Sequence, residues 1–112
     1  MAKVDRQTYA RLADACLAAV ARWLEGLDPD EVDFSTGDGL CTIEFPDGAR
    51  FVLNRQSGNH QMWFAAGARA WHYDWDAERG AWRDDRDGHD LCARIAEVVA
   101  DKVGHPLGAP RL

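Results

Sequence analysis

The chain has 112 residues, 46% of them apolar, and a formal charge of -6 at pH 7. That length suits a single domain, 1–112, with one core and no need of disulfide staples. The acidic balance excludes a phosphate-tracking nucleic-acid binder, which needs a basic face, and favours cations or basic protein surfaces as partners.

The first element spans about residues 4–27. Tyr9, Leu12, Ala13, Cys16, Val20, Trp23, Leu24 and Leu27 recur at three- and four-residue steps, with Arg11, Asp14, Arg22 and Glu25 off that stripe. This is the pattern of an amphipathic helix, and Gly26 and Pro29 are its stop signals. Charges at Lys3, Asp5, Arg6, Arg11 and Asp14 leave no apolar signal stretch near the start. No apolar run approaches the ~20 residues of a membrane span. Cys16, Cys41 and Cys92 are odd in number and widely spaced, without a C-x-x-C pair. Each falls in an apolar pattern, so buried free thiols and a reducing compartment are expected, which places the protein in the cytoplasm.

Beyond the helix the charge becomes one-sided. Between Trp23 and Ala49 there is no lysine or arginine, while Glu25, Asp28, Asp30, Glu31, Asp33, Asp38, Glu44 and Asp47 all fall there. The stretch carries -8 and the remainder of the chain +2. Glu25, Asp28 and Asp30 sit at or just past the negative pole of the helix dipole, where each acid is disfavoured by roughly 0.3–1 kcal/mol. Such rule-breaking is expected where function demands it. Clustered exposed carboxylates make weak sites for hard cations such as iron, manganese, calcium or magnesium, or a landing surface for a basic protein. A solvated acidic face is the plain alternative. An EF-hand is excluded, because Pro29 lies inside Asp28-x-Asp30-x-x-Asp33 and no glycine occupies the sharp turn.

From about 32 to 84 the sequence alternates with period two. Turn signals stand at Asp38-Gly39, Pro46-Asp47-Gly48 and Ser57-Gly58-Asn59. Strands are expected near 32–37, 40–45, 49–55, 60–66, 69–76 and 81–84, linked as an antiparallel sheet. Parity puts Cys41, Ile43, Phe45, Phe51, Leu53, Met62, Phe64, Trp71, Tyr73 and Trp75 on a dry face. Thr42, Glu44, Asn54, Gln61, Trp63, His72 and Asp74 fall on a wet one. Trp63 on a polar face is a candidate binding anchor, unless an arginine or the C-terminal tail covers it. His60 and His72 do not form a ligand pair by spacing, and no nucleophile motif or phosphate loop is present.

The last element runs from about 88 to 103, with Leu91, Ile95, Val98, Val99 and Val103 on one stripe and Asp87 as the expected N-cap. From about 104 a tail of two prolines and two glycines follows. Two terminal helices over the dry face of about six antiparallel strands give an α+β, two-layer sandwich.

Leu53-Asn54-Arg55-Gln56, His60-Gln61-Met62-Trp63-Phe64-Ala65, His72-Tyr73-Asp74-Trp75, Trp82 and the Asp87-Gly88 helix start together resemble the frataxin family. Arg11-Leu12-Ala13-Asp14 resembles its bacterial branch. The likeness runs from about 9 to 103. It implies weak binding of ferrous and ferric iron, with other divalent cations admissible, and contact with a cysteine desulfurase and an iron–sulfur scaffold protein. It implies a regulator of cluster assembly rather than an enzyme, monomeric without iron. An iron store or chaperone with ferroxidase activity is the alternative. Carried over by position, the iron ligands are Glu25, Asp28, Asp30, Glu31 and Asp33, with His60 as a further metal candidate. Asn54, Gln56, Gln61 and Trp63 match the family's partner-binding sheet face. Ala21 and Arg22 stand where members often carry an acidic pair, and Ala10 replaces a common histidine. Both departures shift the expected iron site to the helix end and first strand.

Overall fold

The computed structural model describes residues 4–112. Helix α1 (Arg6–Glu25) is followed by β1 (Asp33–Gly37), β2 (Leu40–Glu44), β3 (Arg50–Gln56), β4 (Gln61–Ala66), β5 (Arg69–Asp76), β6 (Ala81–Asp84) and helix α2 (Leu91–Val103). A 3-10 turn, Ser57–Asn59, joins β3 to β4. The six strands form one sheet in chain order, each antiparallel to the next. Both helices lie on the dry face, α1 over β1 to β3 and α2 against β6. This is the expected α+β two-layer sandwich. No described helix is long and apolar enough to cross a membrane.

The core follows the two periodicities. Tyr9, Ala13, Cys16, Val20 and Leu24 from α1 and Leu91, Ile95, Val98 and Val99 from α2 meet Cys41, Ile43, Leu53, Met62, Phe64 and Tyr73 from the sheet. Each of these is nearly or fully buried. Trp71 and Trp75 are half-buried and pack against the same cluster. All three cysteines are buried and free. Burial pushes the Cys41 thiol up to about 11 and the Cys92 thiol up to about 12, since a thiolate loses its hydration there. Cys16 is raised by the same cause.

The cap of α2 differs from expectation. Asp90 is the N-cap, and its Oδ2 accepts the Ala93 N–H at 2.9 Å. Asp87 lies three positions earlier, in the loop, where its Oδ1 accepts the His89 backbone N–H at 3.0 Å. The reason is Gly88, whose φ of +76° is a left-handed conformation incompatible with a first helical turn. On the opposite side of the molecule Arg55, at the end of β3, reaches Asp14 on α1 at 2.5 Å and Asp38 in the β1–β2 turn at 2.9 Å. The first hairpin is thereby tied to the first helix.

Candidate metal and partner surfaces

The acidic segment is built as a turn. Gly26 ends α1, its N–H directed to the carbonyls of Trp23 and Leu24. The Asp28 carbonyl then accepts the N–H groups of Glu31 (3.0 Å) and Val32 (3.1 Å), while its carboxylate accepts the Asp30 N–H at 2.9 Å. Val32 is buried and pins the segment to the core. With that peg fixed, Glu25, Asp28, Asp30 and Asp33 project outward and are exposed. Among the described residues none of these four has a lysine, arginine or histidine nitrogen within ion-pair distance. Asp33 stands directly across from Glu44 on β2, and Arg50 on β3 flanks Glu44 on its far side. Like charges directly opposed on a sheet are destabilising, so the ridge continues its electrostatic strain onto the first strands.

Glu31 differs from its neighbours. His105, from the tail, places Nε2 2.9 and 3.1 Å from its two carboxylate oxygens. The Glu31 carboxylate raises the His105 pKa above its ordinary value, with help from the Pro106 carbonyl. No sequence signal links positions 31 and 105. The pair exists only because the tail folds back along α1, where the Trp23 indole N–H donates to the Gly108 carbonyl at 2.8 Å.

His60 does not join the ridge. It packs flat on Tyr9, ring centroids 4.8 Å apart, near the N-terminal end of α1. At 1.5 Å rise per residue, Tyr9 and Glu25 are about 24 Å apart along the helix. The His60 Nδ1 lies 3.0 Å from the Val4 carbonyl, and its φ of 51° closes the 3-10 turn. These contacts give the ring a structural task.

The wet sheet face gathers the other candidates. Asn54 and Trp63 are cross-strand partners, as are Gln56 and Gln61. Gln61 is buried although it points to the wet side. Its amide nitrogen donates to Asp74 (3.2 Å) and Asp85 (3.1 Å), and its carbonyl oxygen accepts the Trp63 indole N–H at 3.0 Å. The Trp63 ring stacks on His72 with centroids 4.3 Å apart. The tail and the arginines leave Trp63 alone: Arg69 and Arg94 lie over Trp71 instead. His60, Gln61, Trp63, His72 and Asp85 line a depression of about 730 Å³. Parity places His72 and Asp74 on this face. Asp85 lay beyond the last strand, where alternation carries no information.

A further cluster, Asp84, Asp87 and His89, brings three potential ligand atoms within 4.8 Å of one another. Its groups are already engaged. Asp84 accepts the N–H groups of Arg86 and Asp87, and the two His89 nitrogens face Asp87 at 2.6 Å and the Tyr73 hydroxyl at 2.7 Å. This network sets the β6–α2 loop.

The donor set of the ridge therefore consists of carboxylate oxygens, those of Glu25, Asp28, Asp30 and Asp33 exposed and those of Glu31 half-exposed, which fits a weakly held hard cation.

Known proteins place these surfaces in context. A frataxin-like domain model matches residues 2–105. The chain is 31% identical over 99 residues to the iron-sulfur cluster assembly protein CyaY of Paraburkholderia phymatum, covering 88% of this chain and 91% of that protein. It is also 31% identical over 105 residues to the CyaY of Dechloromonas aromatica, covering 93% and 97%. Among solved structures, the frataxin of Psychromonas ingrahamii superposes with a TM-score of 0.83 at 25% identity, covering 93% of this chain and 96% of that one. A trimeric yeast frataxin complexed with ferrous iron shares the fold at a TM-score of 0.66 and 24% identity, covering 93% and 90%.

Proposed function

The chain belongs to the frataxin-like family, and from that premise we propose that it binds iron and modulates iron–sulfur cluster assembly through protein contacts. Iron is its cargo. Glu25, Asp28, Asp30, Glu31 and Asp33 take the ion, and the same ridge meets a basic face of the cysteine desulfurase. The sheet face of Asn54, Gln56, Gln61 and Trp63 meets the scaffold protein. The carrying observation is that Glu25, Asp28, Asp30 and Asp33 are exposed with no lysine, arginine or histidine nitrogen within ion-pair distance among the described residues. An acidic turn held in that state by its own backbone bonds has free oxygen lone pairs and a strong negative field.

The two surfaces divide the work by chemistry. Oxygen-only, solvent-facing ligands exchange their ion readily, which suits delivery and sensing. Trp63, fixed by Gln61 and His72, is a rigid aromatic anchor of the kind that concentrates binding energy at interfaces. In this reading no residue of the protein forms or breaks a covalent bond.

An anaerobic ferrous titration followed by amide line broadening tests the metal half. Selective broadening from Glu25 to Asp33 is expected. Broadening centred on His60 or His72 would move the metal site to the opposite end of α1 and leave the ridge as a docking surface alone. For the partner half, desulfurase affinity is expected to fall steeply as salt rises, because the Debye length shortens from about 10 Å at 0.1 M to 3 Å at 1 M. A salt-independent affinity would remove the ridge from that contact.

A further inference from the structure

Of the five carboxylates assigned to the ridge, Glu31 has a histidine within ion-pair distance among the described residues, and that partner is supplied by the far end of the chain. The tail is seated by several contacts. His105 faces both Glu31 oxygens, the Gly108 carbonyl accepts the Trp23 indole N–H, Leu107 packs against the core cluster, and Pro110 is buried. Asp28, Glu31, Val32, Val103, His105 and Leu107 line one shallow depression, so the tail lies along the base of the ridge.

We propose that the C-terminal tail is a strap that competes with the cation for Glu31. This inference rests on the ridge being the metal site. The Glu31 oxygens that a metal ion needs are the ones His105 occupies. With His105 Nε2 2.9 and 3.1 Å from the two oxygens, the imidazole stands across both, so a cation that takes Glu31 through both oxygens competes with it for the same lone pairs. Metal binding at the Glu31 end therefore displaces His105 and loosens the tail, and tail docking in turn lowers metal affinity. Linkage makes the two effects equal in size. The ridge is thus coupled to a segment 74 residues away in sequence, and whatever holds or frees the tail sets how much of the ridge is open.

The test uses the full chain and Mn²⁺ as probe, with residue-resolved amide broadening as the measure of affinity and hydrogen exchange of 104–112 as the measure of docking. Two variants are compared with the parent. His105→Ala removes the competitor, and Trp23→Phe removes the Gly108 anchor while leaving His105 and Glu31 in place. An exposed pair of this kind corresponds to about a two- to fivefold change in binding. Both variants are expected to bind Mn²⁺ tighter at Asp28 and Glu31 by about that factor, and Mn²⁺ is expected to speed exchange of the tail in the parent. Weaker binding in His105→Ala would make His105 a ligand and overturn the strap. So would unchanged affinity in either variant. Absence of broadening from Glu25 to Asp33 in all three proteins would instead remove the ridge metal site itself, and the strap with it.

Discussion

Gln61 is the residue on which the sheet face turns. It is a buried residue whose side-chain amide bonds three other side chains, the Asp74 and Asp85 carboxylates and the Trp63 indole. Replacing it by alanine strands the Trp63 N–H and is expected to cost about 1–3 kcal/mol in urea unfolding, because an unsatisfied buried donor loses its full hydration. Trp63→Ala removes the anchor and spares the core. It also leaves the buried Gln61 carbonyl oxygen without its donor, so a loss of about 1–3 kcal/mol in unfolding is expected beside a sharp fall in scaffold binding measured by calorimetry. Gly39 is a second sensitive position. Its φ is +71°, and a Cβ there would approach the Arg55 Nε to 2.8 Å. Gly39→Ala is expected to destabilise by about 1–2 kcal/mol from the left-handed backbone alone, with Arg55 also displaced from Asp38. The thiols make the opposite case. With Cys16, Cys41 and Cys92 buried and their pKa values raised, a disulfide reagent at neutral pH should label the native protein only as fast as it opens.

The helices were legible as elements because their apolar spacing is long and regular, and their ends were less so. Asp90 rather than Asp87 caps α2, and the difference is a backbone matter: Asp-Gly reads equally well as a helix start or as a turn until φ at Gly88 is known. Asp90→Ala is therefore expected to cost about 1 kcal/mol. Asp87 has its own signature. The His89 backbone N–H and ring hold its carboxyl below the ordinary value of 3.8, and Thr8 and Lys102 do the same for Asp5 and Asp47. A carboxyl whose pKa is depressed by folding contributes stability that is complete above the unfolded value and lost as pH falls through the folded one. Stability from these groups should hold down to about pH 4 and decline below it, and Asp87→Asn should flatten that decline. The strands were also readable, since parity alone sorted Cys41, Ile43, Leu53, Met62, Phe64 and Tyr73 into the core. Parity could not report that Gln61, on the wet side, would be buried by its neighbours, nor that Asp85 would complete the network from beyond β6.

At the level of the whole molecule the ridge is visible in the sequence as a charge imbalance, and the structure places Glu25, Asp28, Asp30 and Asp33 at the surface. What the sequence could not show was the return of the tail. The Glu31–His105 and Trp23–Gly108 contacts span 74 and 85 positions, and neither has a local pattern that anticipates it. His60 stands apart from the acids for a related reason: it packs on Tyr9 near the N-terminal end of α1, while the acids begin at its C-terminal end.

The strand order also leaves the sheet with two margins of different character. At β6 the chain covers its own margin: the Asp84 N–H donates to the His89 carbonyl at 2.9 Å and Arg83 bridges to Asp90. At β1 the strand is paired on one side only and its residues are largely exposed. An uncovered margin of this kind invites another copy to add its own strand, and fixed charge is a common defence. Asp33 and the adjoining carboxylates supply it here, so they guard solubility as well as holding a ligand. Neutralising them, by substitution to amides or by saturating cations, should let copies zip together along β1. Light scattering at matched protein concentration would reveal that growth, and a proline placed at Ser35 should arrest it.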